Sequence, residues 1–470
     1  MPGTVTTEIN VPQPASLKLD LQWDQAETRV ESVPGGPHLD GRQLSSSTAF
    51  ALLSHLRSRS MSGQEKIREA LLLIFCDSVP RECSRLWVLS DGQWNQALEW
   101  LDVSGLALYF LDRIIEQHLQ EMVPRRVLAR LQQNLVENTW RTSQMIAEAN
   151  TIHVRFQDAG LSYATLKGFS LWPDSVPRLE LRSQLDLDFL VAEGCAPEAR
   201  RILEERGYRL HAISGRSWEF KAGEMPRASL KDLYKASPHR CAELHIEPAS
   251  TERPLLARTE RQCLQGVSFP VLAPEDLFLG QGMHLFKHLC SEFSRTAHML
   301  EFRRHVMARR HDAAFWARLR TLAEADPRVP LALGVATHWI THLMGEFAPE
   351  AFTSWTVARV PASVGLWIEL YGRRTVLAGV PGSKLYLLLQ QELSRASGSA
   401  ARPARHSLVP RRLPPPIALP TTNESRAARI RRHWRQLLFA LRRLRFHVVA
   451  DLQYLYESRR WKRLLRSAGL

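Results

Sequence analysis

The sequence lacks any apolar run long enough to form a membrane-spanning helix. Such a helix needs about 18 consecutive apolar residues, and no stretch of the 470 residues approaches that length. The N-terminal residues also lack the basic segment followed by an apolar segment that is typical of a secretory signal. These absences argue against a spanning or secreted protein, and we expect a cytoplasmic location.

Cysteine is scarce, and its spacing does not indicate a metal site. The six cysteines lie at positions 76, 83, 195, 241, 263 and 290, without any Cys-x-x-Cys pair. A structural zinc site usually contains such pairs, so the spacing argues against one. We expect the thiols to be reduced and mostly buried.

The first 400 residues have no net charge, although the whole chain is strongly basic. The 62 Lys and Arg residues against 48 Asp and Glu residues give a net charge of +14. Residues 401–470 contain 17 basic and 3 acidic residues, so this tail accounts for the whole excess. The charge therefore predicts nothing about a basic substrate groove in the rest of the chain.

The chain divides into six segments by composition and hydrophobic periodicity. Apolar residues at helical spacing predict two helical segments, and Trp87 and Trp94 are expected to be buried in the first of them. The segment between them contains short predicted strands, which makes the fold class α+β. The segments are an arm at 1–45, a helical domain at 46–159, the strand-containing core at 160–272, a helical domain at 273–394, a Pro/Arg-rich linker at 395–422 and a basic helix at 423–470.

The core has a predicted order of strands and one helix. Alternating apolar residues and turn signals place these elements. They are strands at Leu161–Leu166, Leu185–Val191, Tyr208–Ile213, Trp218–Lys221 and Cys241–Ile246, and a helix at Pro197–Arg206.

Two carboxylates share one face of the predicted strand Leu185–Val191. Successive side chains of a strand point to opposite faces, so Asp186 and Asp188 lie together and the alternate apolar side chains, Leu185 among them, can be buried. Adjacent carboxylates repel each other and are costly to desolvate. A divalent cation such as Mg²⁺, which prefers oxygen ligands, would relieve that repulsion.

These residues resemble a known family. The segments are Leu166-Lys-Gly-Phe-Ser170, Arg182 four residues before Asp186-Leu-Asp188, Cys241-Ala-Glu-Leu-His-Ile246, and Leu272-Ala-Pro-Glu-Asp-Leu277 followed by His284. Together they are similar to the uncharacterised bacterial branch of the nucleotidyltransferases, within the polymerase-beta-like superfamily. The resemblance covers roughly residues 50 to 310. It implies a small mixed β-sheet core, flanked here by N-terminal and C-terminal helical segments.

The resemblance also implies a reaction and its residues. A nucleoside monophosphate would pass from a nucleoside triphosphate to a hydroxyl acceptor by a two-metal mechanism that uses Mg²⁺ or Mn²⁺. Asp186, Asp188 and Glu243 would be catalytic and would hold metal, although the superfamily usually has Asp at the third position. Nucleotide and phosphate contacts would come from Lys167, Gly168, Ser170 and Arg182, and nearby support would come from His245 and His284.

Several alternatives remain open from the sequence. The carboxylates could be a solvated strand face, Lys167 a solvated turn lysine, and Arg182 an anchor for an acid. The superfamily usually has adjacent Gly-Ser or Gly-Gly, and the departure to Gly-Phe-Ser keeps open a degenerate nucleotide-binding or regulatory protein. A toxin-type nucleotidyltransferase acting on tRNA or protein is another alternative.

Two further features concern metal and anionic partners. His284 and His288 lie four residues apart on a predicted helix, but no Glu follows the first His as in metalloproteases, so we expect no metal there. The C-terminal helix mixes arginines with leucines and could bind an anionic membrane surface or nucleic acid. We expect instead that its leucine stripe packs on the rest of the chain. We also expect the helix to break near Asp451.

Overall fold

The computed structural model of the chain describes residues 62–223, 233–235, 240–396, 408 and 425–470. The predicted arm at 1–45, a predicted helix around Ala49–Leu56 and nearly all of the predicted linker at 395–422 lie outside these residues. Within the described part, the protein has the expected α+β fold, a mixed sheet with helical segments on both sides in sequence.

Four α-helices precede the sheet within residues 62–158. Two of them begin with a serine whose side chain accepts from the backbone N–H three residues later, since Ser62 caps the first helix and Ser90 the second. The last of these helices begins after Pro124 and is by far the longest of them. The helices are α1 (Gly63–Leu73), α2 (Asp91–Ser104), α3 (Ala107–Glu116) and α4 (Arg125–Asp158).

The sheet has seven strands in the order β3-β4-β5-β2-β1-β7-β6. The pairs β2/β5 and β1/β7 are parallel and the other neighbours are antiparallel. One helix, α5 (Ala196–Glu205), follows β2. The strands are β1 (Tyr163–Thr165), β2 (Leu187–Ala192), β3 (Arg209–Ser214), β4 (Ser217–Ala222), β5 (Arg240–Glu247), β6 (Thr259–Leu264) and β7 (Val267–Leu272).

Two strands in this sheet were missed by the sequence analysis. The residues of β6 are mostly exposed and polar, and β7 contains Pro270, which cannot donate to a ladder. A turn signal was present, because Gln265 and Gly266 between the two strands both have positive φ, as a tight hairpin turn requires.

One face of the sheet is buried by helices and the other carries the site. The C-terminal half of α4 and the apolar side of α5 pack on Leu187, Phe189 and Val191 of β2. Asp188 therefore points to the opposite face, as strand alternation requires. Leu185 does not join the buried set, because β2 begins only at Leu187 and the Leu185 side chain is 51% exposed.

The helices after the sheet share a hydrophobic core with those before it. Buried residues of α1–α3 and of the later helices belong to one cluster, and Arg68 of α1 donates to the Leu377 carbonyl. The later helices are α6 (Pro274–Leu289), α7 (Thr296–Ala308), α8 (Ala313–Ala323), α9 (Arg328–Met344), α10 (Glu350–Thr353), α11 (Ala362–Trp367), α12 (Arg373–Val376), α13 (Tyr386–Ala396) and α14 (Arg426–Ser467). A π-helical turn, Ile368–Gly372, joins α11 to α12.

Helix α14 differs from expectation in two ways. It continues through Asp451 without a break, and that carboxylate pairs with the ammonium of Lys384 at 2.5 Å. Its leucine stripe is exposed, whereas the residues that pack on the rest of the chain follow one another at helical spacing farther along. The packed residues are His447, Ala450, Tyr454, Glu457, Trp461, Leu464 and Leu465.

Three smaller expectations have mixed outcomes. Trp94 is fully buried, but Trp87 is 63% exposed because it lies in a short 3₁₀ segment at the surface. All six cysteines are free, yet only Cys83 is buried and Cys263 is exposed. Within the part of the chain that the structure describes, no helix combines the length and apolar character needed to cross a membrane.

Candidate functional site

The turn after β1 requires a glycine at position 168. Gly168 has φ +67°, a conformation that residues with a side chain adopt at a cost. A Cβ atom there would also clash with the amide group of Gln184. The turn is tied to β2 because the Leu166 N–H donates to the Asp188 carbonyl at 3.1 Å. The turn residues therefore lie directly beside the strand that carries the carboxylate.

Asp188 and Glu243 lie side by side on two parallel strands. Their Cα atoms are direct partners in the β2/β5 register. His245, two residues beyond Glu243, is on the same face, and its Nε2 lies 3.2 Å from Asp188 Oδ1 and 3.8 Å from Glu243 Oε2. Ligand atoms of these three residues all lie within 4.8 Å of one another. This acid cluster, Asp188, Glu243 and His245, can hold a metal ion.

Asp186 stands next to the acid cluster without joining it. Among the described residues, the group of potential ligand atoms within 4.8 Å does not include Asp186. The residue precedes β2, and its carbonyl accepts a hydrogen bond from the Gln184 side chain at 2.8 Å. The Asp188 carboxylate, followed by burial, raises the pKa of Asp186 to about 6. The two aspartates therefore interact electrostatically although only Asp188 is in the cluster.

Lys167 supplies the positive charge that compensates these carboxylates. Its ammonium lies 3.4 Å from Asp188 Oδ1, and only 30% of its side chain is exposed. Burial alone would lower the pKa of Lys167, but Asp188, Asp186 and Glu243 outweigh burial and raise that pKa. Burial would likewise raise the pKa of Asp188, but Lys167 and His245 hold it well below its usual range. Asp188 is therefore ionised near neutral pH, as a metal ligand must be.

Two serines form hydrogen bonds with residues of the site. Ser217 of β4 donates a short hydrogen bond to Glu243 Oε1, which fixes that carboxylate on the strand face. Ser170 is 4% exposed, and its hydroxyl donates to the Lys167 carbonyl at 3.4 Å. The hydroxyl of Ser170 thus stabilises the turn and is turned away from solvent.

Arg182 joins a buried ion pair. Its Nε lies 3.1 Å from Glu301 Oε1, and Tyr109 donates to the same oxygen at 3.0 Å. Burial alone would lower the pKa of Arg182, but Glu301 together with Tyr109 and the two aspartates outweighs burial and raises it. The guanidinium therefore connects the approach to β2 with α7 and α3. Of the two roles considered from the sequence, this contact corresponds to anchoring an acid.

A small cleft opens beside the turn and is lined by residues of the turn, of α6 and of α7. Its wall carries positive and negative side chains, since Lys167, Arg182 and Glu301 all line it. The lining residues are Leu166, Lys167, Leu171, Arg182, Leu277, Gly280, Gln281, His284, His298 and Glu301.

Three histidines meet at one end of the cleft. His284 and His288 come from α6, and His298 comes from the first turn of α7. Their rings are in mutual contact, with centroids 4.5 to 5.0 Å apart. One nitrogen from each ring lies within 4.8 Å of the other two. The third histidine could not be found from sequence spacing, because a loop separates it from α6.

A comparison with protein-family models shows the family of this chain, and the matched range includes the residues of this site. The family model described as an uncharacterised nucleotidyltransferase matches residues 90–345, more than half of the chain. The chain belongs to this nucleotidyltransferase family. No curated protein matches it. The matched range contains the turn, both carboxylate strands and all three histidines. Nucleotidyltransferases usually use a divalent metal, and the acid cluster offers a candidate site for one in this family member.

Some of these residues are predictable from the sequence and others are not. The structure brings Lys167, Asp188 and Glu243 together with His245, and places Asp186 and Gly168 beside them. His284 lines the cleft together with Lys167 of this group, and Arg182 pairs with Glu301. Residues with contacts at the site that the analysis missed are Gln184, Ser217, His298 and Glu301.

Proposed function

We propose that this family member is a metal-dependent enzyme of the polymerase-beta-like superfamily, which transfers a nucleoside monophosphate from a nucleoside triphosphate to a hydroxyl acceptor. The observation that carries the proposal is the pairing of Asp188 with Glu243 on adjacent parallel strands, beside the turn at Gly168. Family membership supports the reaction class, and these residues support the site.

The acid cluster suits Mg²⁺ or Mn²⁺ by its donor chemistry. Asp188 and Glu243 provide oxygen ligands, Asp188 is ionised, and the raised pKa of Asp186 reflects repulsion that a cation would relieve. We propose that Asp186, Asp188 and Glu243 hold the metal, with His245 as a further ligand or neighbour. Bound there, divalent ions supply stabilisation of the attacking and leaving oxygens in phosphoryl-group transfer.

Lys167 and Gly168 are proposed to contact the phosphates of the nucleotide. Lys167 pairs with Asp188 and also lines the cleft, so its ammonium can meet a phosphate oxygen from the same position. Gly168 leaves the backbone of the turn without a side chain where a phosphate would approach. We propose that Ser170 acts by holding this turn, and that Arg182 either binds phosphate or sets the shape of the cleft through Glu301.

A second candidate function is nucleotide binding without catalysis. It is favoured by the position of Asp186, whose carboxylate does not join the ligand group of Asp188 and Glu243. A degenerate site of this type would bind a nucleotide through the turn and the cleft and regulate a partner. The toxin alternative predicts that expression arrests growth and that Asp186→Ala abolishes the arrest.

Metal binding by the acid cluster can be tested with Mn²⁺ and electron paramagnetic resonance. We expect about one equivalent or more of Mn²⁺ to bind the wild-type chain and Mg²⁺ to displace it. Asp188→Asn and Glu243→Gln keep the size of each side chain but remove its charge, and we expect both to weaken Mn²⁺ binding by at least about tenfold. Equal binding by wild type and both variants would refute the metal site.

We also propose that helix α14 binds to an anionic membrane surface. Its apolar side chains from Ile430 to Leu455 recur every three or four residues and are between 38% (Leu438) and 69% (Ile430) exposed, on the side opposite the packed residues. Arg431, Arg435 and Arg442 flank this apolar side. An apolar face bordered by arginines fits the interface of an anionic bilayer better than it fits water.

The remaining parts of the proposal concern organisation and location. We propose segment boundaries near 159/160 and 272/273, where the chain passes between α4 and β1 and between β7 and α6. The shared hydrophobic core of the helical units favours their folding as one body around the sheet. The six free cysteines suit a reducing compartment, and we propose the cytoplasm.

A further inference from the structure

The cluster of His284, His288 and His298 brings one ring nitrogen from each residue within 4.8 Å of the other two. Helix spacing puts the first two on the same side of α6. The loop between α6 and α7 returns the chain so that His298 meets them. Ser291 stabilises this loop, since its hydroxyl lies 2.7 Å from the His288 carbonyl and 3.0 Å from the Phe293 carbonyl. The hydrogen bonds from the Ser291 side chain to the loop backbone thus help to place the third ring.

The three imidazoles are neutral in this environment. Burial, followed by positive charges that include Lys167 and Lys287, lowers the pKa of His284 well below its ordinary value. Burial also lowers the pKa of His288 to about 4 and that of His298 well below its ordinary value. A neutral imidazole keeps a free lone pair on one nitrogen, which is the form that binds metal.

One of these rings has an unsatisfied nitrogen. His298 Nδ1 is buried and has no hydrogen-bond partner among the described residues. A buried polar atom without a partner costs roughly 1–3 kcal/mol unless something satisfies it. A ligand for the cluster would satisfy it directly or through a rotation of the ring.

We propose that His284, His288 and His298 bind a divalent transition-metal ion, Zn²⁺ in the first instance, at a site distinct from the acid cluster. Imidazole nitrogens suit Zn²⁺, Co²⁺ and Ni²⁺, whereas Mg²⁺ prefers oxygen. Ligand nitrogens around tetrahedral zinc are about 3.3 Å apart. The nitrogens of the cluster lie within 4.8 Å of each other, so shifts of about 1 Å in ring position complete the set.

Three protein ligands leave the fourth position of a tetrahedral ion open. Zinc sites of that composition are of the open type that binds water or a substrate. Because His284 and His298 line the cleft, the open position is on the cleft side. Lys167, Lys287 and Arg295 surround the cluster with positive charge, which favours an anionic fourth ligand such as a carboxylate or phosphate oxygen.

Cobalt titration tests the proposal, because tetrahedral Co²⁺ absorbs visible light and Mg²⁺ does not. The full chain, freed of metal by a chelator, is expected to bind one equivalent of Co²⁺ with bands of tetrahedral coordination, and Zn²⁺ is expected to abolish them. We expect His288→Gln and His298→Gln each to weaken Co²⁺ binding by at least about tenfold. His338→Gln, which changes another half-buried helical histidine, serves as the matched control and should bind as wild type.

Two further measurements keep the result decisive. The Asp188→Asn, Glu243→Gln double variant should retain the cobalt bands, since it alters only the acid cluster. Heat unfolding in chelator shows whether the histidine variants fold, and Zn²⁺ should raise the melting temperature of the wild type more than that of either variant. Cobalt bands that persist in the histidine variants, or that disappear in the acid-cluster variant alone, would overturn the proposal, as would the absence of bands in the wild type.

Discussion

The Lys167 ammonium lies 3.4 Å from Oδ1 of Asp188, and Lys167 also lines the cleft. The contact joins the turn after β1 to the central strand that carries the acid. It gives the carboxylates of the site a counter-charge within the protein. The proposed function gives the same lysine a second partner, a phosphate oxygen of the nucleotide.

Removing the Lys167 charge should make stability depend on metal. Lys167→Met leaves Asp188 and its neighbours uncompensated, so we expect a loss of about 1–3 kcal/mol in the free energy of unfolding without metal. Mg²⁺ should recover more stability in the variant than in the wild type. Chemical denaturation with and without Mg²⁺ measures both effects. Lys221→Met, which removes a half-buried lysine elsewhere in the sheet, is the control and should show no such gain from Mg²⁺.

Gly168→Ala should destabilise more than the same change at a glycine with equal backbone strain. Both Gly168 and Gly160 have positive φ, but only Gly168 has a side chain, that of Gln184, where the Cβ would lie. We expect Gly160→Ala to cost about 1 kcal/mol and Gly168→Ala clearly more. Adding Gln184→Ala to Gly168→Ala should recover part of the difference. Equal costs at the two glycines, measured by urea unfolding, would show that the clash is unimportant.

The buried pair of Arg182 and Glu301 should be worth far more than a surface pair. Arg182→Met leaves Glu301 buried without its counter-charge, and we expect a loss of about 3–5 kcal/mol. Arg178→Met breaks an exposed pair with Asp112, and we expect less than about 1 kcal/mol. The double variant Arg182→Met, Glu301→Met should be more stable than Arg182→Met alone. If Arg182→Met instead leaves stability unchanged and weakens nucleotide binding, phosphate contact is its main role.

Protonation of His153 should reduce stability at low pH. This histidine of α4 stacks on Phe269 of β7 with ring centroids 4.2 Å apart, and burial lowers its pKa to about 3 from an ordinary value of 6.5. The unfolded chain therefore binds one more proton between pH 6.5 and 3, so stability falls as pH falls in that window, by about 1.4 kcal/mol per pH unit. His153→Phe should lower this slope by one proton, and an unchanged slope in that variant would contradict the assignment.

Binding of α14 to anionic vesicles should need both its arginines and its exposed leucines. We expect the chain to sediment with phosphatidylserine vesicles at low salt and to be released as salt rises. Leu437→Ser, Leu441→Ser, Leu444→Ser in one variant, and Arg431→Gln, Arg435→Gln, Arg442→Gln in another, should each reduce binding. Since these positions are exposed, unfolding should be unaffected. Retained binding in both variants, or self-association in place of binding, would contradict the proposal.

Local patterns were sufficient to predict much of the fold. Strand alternation placed Asp188 and Phe189 on opposite faces, and helical periodicity predicted helical segments before and after the sheet. The first residue of β2 was predicted two positions too early. Leu185 continues the apolar alternation, although the hydrogen-bonded ladder begins at Leu187. Strands β6 and β7 were missed because Pro270 and a polar, exposed edge strand weaken the pattern on which such predictions depend.

Contacts between segments that are distant in the chain could not be predicted from the sequence. Nothing near Arg182 indicates Glu301, 119 residues later, and nothing near His284 indicates that His298 returns across a loop. The exposed leucines of α14 show the same limit, since periodicity finds an apolar face but not the partner that covers it. Side-chain chemistry could be predicted where one strand carried it, and was missed where three-dimensional packing assembled it.

The most direct test of the proposed function is the binding of a nucleoside triphosphate, measured by calorimetry with and without Mg²⁺. The wild type is compared with the double variant Asp186→Asn, Asp188→Asn, which preserves side-chain size and removes both charges. We predict binding by the wild type that requires Mg²⁺ and that the double variant loses. Equal binding by the two proteins, or no binding by either, would contradict a metal-dependent nucleotide site at these aspartates.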